Sequence, residues 1–121
     1  MPGSFKDLRV WQESMSFAVD VYGATATFPK HEIYGLAQQL RRTAVSIASN
    51  IAEGKGHRSD KEFLHFLFHA RGSLLEVRTQ LLIAGGLQYL SPERITELEA
   101  KAEDLGRALN GLITSLERIA A

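Results

Sequence analysis

The chain has no cysteine among its 121 residues, and only three prolines and one tryptophan. Without cysteine it can form no disulfide and offers no thiolate to a metal, which fits a reducing compartment. It also lacks any apolar run long and uncharged enough to span a bilayer. The opening MPGSFKDLRVWQE has neither a basic segment followed by an apolar one nor a cleavage signal. A soluble cytoplasmic protein is the expectation. Net charge is missing too: fourteen basic residues balance fourteen acidic ones, so no global field points to a polyanionic partner. No nucleotide-binding fingerprint is present, and no Ser/His/Asp arrangement follows from spacing, so an enzyme is not expected. The length suits a single domain over residues 1–121.

What the chain does have is helical periodicity. From Tyr34 to Gly54, YGLAQQLRRTAVSIASNIAEG, the set Ile33, Leu36, Leu40, Ala44, Ile47 and Ile51 advances by threes and fours and predicts a core-facing stripe. On another side Gln39, Arg42, Ser46, Ser49, Asn50 and Glu53 share a narrow arc. A helix so poor in charge is normally covered. Ser49, Asn50 and Glu53 are therefore expected to form a buried polar network or to line a subunit contact or channel.

Three further helices are predicted. The first begins after Asp7, whose carboxylate is expected to cap it, presents Leu8, Trp11, Met15, Ala18, Val19 and Tyr22 to the core, and fades before Pro29. The second ends near Glu53, with Gly54 and Gly56 supplying left-handed closing geometry. The third opens with a Ser59–Glu62 capping box and carries two apolar sets. Phe63, Phe66, Leu67, Ala70, Leu74, Val77, Leu81 and Ala84 form one; Leu64, Phe68, Leu75 and Leu82 form the other. A bundle helix needs one stripe, so the second predicts a face for self-association. Gly72 inside this helix is expected to permit a close helix crossing, since glycine there costs about 1 kcal/mol. Ser91-Pro92-Glu93 starts the fourth helix, which runs to Ala121 with a stripe from Ile95 to Ile119. The fold class is all-α: an up-down-up-down antiparallel four-helix bundle, with helices of roughly 30 to 45 Å.

Charge is unevenly spread. Lys30 to Arg78 holds eight basic and five acidic residues and all four histidines, whereas Ser91 to Ala121 holds four basic and six acidic. Arg41, Arg42, Lys55, Arg58, Lys61 and Arg71 are the candidates for phosphate contacts. They would act weakly in one chain and more strongly when repeated about a symmetry axis. Glu62-x-x-His65-x-x-x-His69 puts a carboxylate and two imidazoles on one helical face. Di-iron bundles need Glu-x-x-His on two helices, and this chain has it once, so no metal and no cofactor is expected.

The segments FKDLRVWQ (Phe5 to Gln12), FPKHEIYGLAQQLRRTAVSIASNIAEG (Phe28 to Gly54), SDKEFLHFL (Ser59 to Leu67), GSLLEVRTQL (Gly72 to Leu81) and LQYLS (Leu87 to Ser91) resemble the four-helix-bundle family of the 23S rRNA intervening-sequence protein, also called the S23 ribosomal protein family. A proline common in that family between Ile and Ser is Ala48 here. The resemblance implies an antiparallel bundle assembling as a ring-shaped homopentamer around a central channel. It extends distantly to the accessory variability determinant of diversity-generating retroelements, which binds nucleic acid and a reverse transcriptase through a strongly basic surface. This chain departs from that branch in being neutral. Two readings follow: a non-enzymatic oligomeric bundle binding RNA or DNA weakly through symmetry-repeated basic residues, or an assembly scaffold without nucleic-acid binding.

Overall fold

Four α-helices carry the chain in the computed structural model, which describes residues 3–120: α1 (Arg9–Thr25), α2 (Leu36–Lys55), α3 (Asp60–Gly86) and α4 (Pro92–Ala120). Among the described residues there is no strand. The expected continuation of α4 to Ala121 lies outside the described residues. Each helix packs on its chain neighbours and α1 also packs on α4, whereas α1 does not pack on α3, nor α2 on α4. The cross-section is therefore a square in which the α1–α2 side lies opposite the α3–α4 side. Antiparallel register follows from paired contacts. Ser46 meets Ser73 while Gly54 meets Phe66, Arg71 meets Asn110 while Gly85 meets Ile95, and Asp20 pairs with Lys101.

The core of α2, α3 and α4 follows the predicted stripes except at two ends, where Ile33, ahead of α2, and Ile119, in the last turn of α4, are exposed. Leu40, Ala44, Ile47 and Ile51 of α2, Leu67, Ala70, Leu74, Val77, Leu81 and Ala84 of α3, and Leu98, Ala102, Leu105 and Leu109 of α4 are buried in one core. The first helix turns another face inward. Its buried residues are Val10, Ser14, Phe17, Ala18, Val21, Ala24 and Thr25, whereas Met15, Val19 and Tyr22 are exposed and Trp11 is half-buried. α1 carries two apolar stripes about 100° apart, and the true one holds a hydroxyl at its centre. Ser14 removes its own polarity by donating to the Trp11 carbonyl at 2.7 Å, so it is buried without an unmet hydrogen bond.

The ends depart from expectation in instructive ways. Asp7 caps a short 3₁₀ turn, Phe5–Asp7, in a box with Ser4, and α1 starts after Leu8 without a side-chain cap. At α3 the hydroxyl of Ser59 accepts from the Glu62 amide at 3.1 Å, but the Glu62 carboxylate turns to the Ser59 hydroxyl and to His57. Ser91 caps α4 as expected, accepting from the Arg94 amide at 3.1 Å with Pro92 in the first turn. No described glycine has a positive φ; that conformation belongs to Gln88, at 64°. Gly54 serves close approach instead. A Cβ there would stand 2.7 Å from Phe66 Cβ and 3.0 Å from Phe63 Cδ1. At Gly72 a Cβ would meet nothing within 4 Å, so no helix crosses there.

One end of the bundle is tied across its two connections. Glu32 accepts from the Leu36 amide (3.0 Å), satisfying a free donor of the first turn of α2, and from the Tyr89 hydroxyl (2.8 Å) in the α3–α4 connection. These two hydrogen bonds, the backbone one foremost, hold the Glu32 carboxyl below the usual glutamate range. The same bond raises the Tyr89 phenol.

Candidate interaction surfaces

The six basic candidates separate into three places. Lys55, Arg58 and Lys61 gather at the α2–α3 turn, where Lys55 lies half-buried with its ammonium 5.9 Å from the Phe63 ring centre and the other two are exposed. Arg41 lies fourteen residues earlier on α2, roughly 20 Å away at the helical rise. Its guanidinium covers the Tyr22 ring at 4.8 Å, donates to Thr25 Oγ1 at 2.8 Å and reaches the Tyr22 carbonyl at 3.4 Å. Arg41 thus serves the C-terminal end of α1, where a cation is favoured. Arg42 beside it is exposed. Arg71 sits on the opposite side of the bundle, stacked over Phe68 at 5.1 Å and donating to Asn110 Oδ1 at 3.2 Å.

Pairing divides the cations sharply. Among the described residues, no carboxylate lies within ion-pair distance of Arg41, Arg42, Lys55, Arg58, Lys61 or Arg71. Arg78 forks onto Glu99 (3.0 and 3.3 Å) and reaches Glu103 at 3.8 Å, and Arg94, Lys101 and Arg107 also have carboxylate partners. The hydrogen bond to Glu99 raises the Arg78 pKa further. Neutrality of the chain therefore conceals self-compensated α4 flanks and uncompensated cations on α2 and the start of α3.

The polar seam lies between α2 and α3, one turn earlier than the residues singled out for it. Thr43 donates to the Gln39 carbonyl at 2.7 Å and stands 3.3 Å from Glu76 Oε2; Ser46 donates to the Thr43 carbonyl at 2.7 Å and meets the Ser73 hydroxyl at 2.8 Å. Asn50 joins by donating to the Ser46 carbonyl at 2.8 Å. Ser49 is exposed on the rim of the α1–α2 groove, and Glu53 is exposed. Helical spacing marked Ser46 but could not reveal Ser73 and Glu76, which come from the facing helix.

Two apolar faces remain open. On α3, Phe68, Leu75 and Leu82 are 40%, 57% and 54% exposed, whereas Leu64 is buried at 8%. The Arg71 bridge from Phe68 to Asn110 puts this row on the α3–α4 side. The second face was not anticipated. Trp11, Met15 and Ala18 of α1 and Val45, Ala48 and Ala52 of α2 line a shallow groove on the α1–α2 side, with Ser49 at its edge and Val19 and Tyr22 exposed on α1. The displaced stripe of α1 was its signal.

The histidine group also rearranges. His57 Nδ1 stands 2.7 Å from Glu62 Oε2, a contact that with Ser59 lowers the Glu62 pKa. Glu62 is thereby drawn away from His65 and His69, whose Nε2 atoms are 3.3 Å apart. Among the described residues, no three His, Asp or Glu side chains converge as metal ligands. Among the described residues, no helix is long and apolar enough to cross a membrane.

The model of the 23S rRNA-intervening sequence protein family matches residues 6–111. A crystal structure of a protein of unknown function, from the S23 ribosomal protein family of Bacteroides thetaiotaomicron, superposes with a TM-score of 0.77 at 21% identity. The match covers 86% of this chain and 97% of that one, and at this identity it speaks for the fold. No curated protein matches the chain.

Proposed function

The chain belongs to the 23S rRNA-intervening sequence protein family, and from that premise we propose that it acts, without catalysis, as a self-assembling bundle. The observation that carries this is the pair of open apolar faces on opposite sides of the square. The groove lined by Trp11, Met15, Val45, Ala48 and Ala52 offers small residues and space, and Phe68, Leu75 and Leu82 offer a row of bulky side chains seven residues apart. Contiguous exposed apolar side chains on one chain favour an occupant. A row on one side and a groove on the other suit a head-to-tail contact between copies, which closes into a ring when the rotation allows. Phe68→Asp then yields a smaller particle in light scattering with unchanged helical content. A variant of undiminished mass would remove the reading.

A second reading builds on the first. The uncompensated Lys55, Arg58 and Lys61 share one end of the bundle, so assembly about an axis would repeat them as a ring of positive charge able to hold RNA or DNA phosphates weakly. What favours it is that they have no carboxylate partner among the described residues, against the paired cations facing α4. Light-scattering mass with and without a short mixed-sequence RNA, at low and moderate salt, separates the readings. Salt-sensitive uptake supports phosphate binding, and an oligomer indifferent to RNA leaves the scaffold alone.

A further inference from the structure

The imidazoles of His65 and His69 stand one helical turn apart on α3, both exposed, with their Nε2 atoms 3.3 Å from one another and their rings nearly perpendicular at 83°. Two nitrogens held at that separation match the edge of a metal tetrahedron. With Zn–N bonds of about 2.05 Å, an ion touching both nitrogens would subtend about 107°, close to the tetrahedral angle of about 109°. A square-planar ion would need the two nitrogens at about 2.9 Å, so the spacing fits zinc better than copper(II). The surroundings leave both rings available. His57 and Ser59 occupy the nearby Glu62 carboxylate, and apart from the other ring no hydrogen-bond partner engages either imidazole among the described residues.

We propose that His65 and His69 form a chelating pair for a divalent zinc ion on the surface of α3, with water completing the coordination. Without the ion, one Nε2–H can donate to the other ring's Nε2; on binding, that ring takes its Nδ1–H tautomer, so both Nε2 lone pairs face the metal and each neutral ring keeps one proton. His65 lies about one turn from both Lys61 and Phe68, and His69 follows Phe68 in sequence but sits about 100° round the helix from it, so the pair neither requires nor excludes the assembly contact above. It is a feature of the folded helix, because the turn sets the separation.

The test is calorimetric titration of Zn²⁺ alone into tag-free protein in a non-chelating buffer, with the His65 and His69 ring resonances followed by NMR. Expected is one zinc per chain, with both rings shifting together. His65→Ala and His69→Ala should each weaken binding at least about tenfold through loss of the chelate, and His57→Ala should leave it unchanged. Equal binding by the His65→Ala/His69→Ala double variant, or loss of binding in His57→Ala alone, would overturn the assignment. Both substituted rings are exposed, and unaltered circular dichroism confirms that folding is retained.

Discussion

At the scale of single residues, two glycines in neighbouring helices have opposite meanings. Gly54 is buried where α2 meets the aromatic start of α3, and an added methyl would enter the space of Phe66 Cβ and Phe63. Gly54→Ala is expected to cost about 1–3 kcal/mol through overpacking. Gly72 is exposed, helical and unobstructed, so Gly72→Ala should stabilise the protein by about 0.4–1 kcal/mol, as the unfolded chain loses freedom and the helix gains propensity. Urea unfolding of the two variants reads both signs, and a shared sign would contradict the packing described. Glu32 supplies a residue-scale pH dependence. Its folded-state pKa is depressed, so its contribution is complete above the unfolded value and disappears as pH falls through the folded one. The stability gap between the wild type and Glu32→Gln should therefore be constant from pH 7 to about 5 and shrink below about pH 4.3. A gap that persists at pH 3 would mean that the Leu36 and Tyr89 bonds do not depend on the charge.

At the scale of elements, α1 shows what periodicity can and cannot decide. Its helical character and approximate ends could be read directly, and the stripes of α2, α3 and α4 could be read with their faces. The face of α1 could not, because Val10, Phe17 and Val21 compete with Trp11, Met15 and Tyr22 and because a buried serine disguises the true stripe. The energetic consequence is specific. Phe17, at 2% exposure, should cost about 3–5 kcal/mol when cut to alanine, whereas Val19→Ala should change unfolding by no more than about 0.5 kcal/mol. Comparable losses at both positions, measured by denaturant titration, would restore the other face to the core. The polar seam was hidden for a different reason: Ser46 depends on Ser73 and Thr43 on Glu76, and pairing across helices leaves no mark within either one. Capping signals transferred where a serine accepts from the amide three residues on, at Ser91 and Ser59, but not at Asp7, which closes a 3₁₀ turn instead of capping α1.

At the scale of the whole molecule, zero net charge misdescribes the surface. Paired cations line α4, and unpaired ones cluster at the α2–α3 turn. If RNA binds there, charge reversal at Lys55, Arg58 and Lys61 should lower the salt slope of the affinity by about 0.7 per lost contact on a single strand. Arg41 is a poor probe, because its reversal would also break the tie to Tyr22 and Thr25; Arg42, exposed beside it, is the better companion. A slope unchanged in the reversed protein would leave the assembly without a phosphate site. The square arrangement also carries a temporal consequence. Three of its four seams join helices adjacent in the chain, and only the α1–α4 seam closes a long loop. Proteins dominated by local contacts fold quickly, so the first three helices can condense as each is made. The flank of α1 that carries Asp20 must wait, bare, until the final helix emerges and Lys101 arrives to close it.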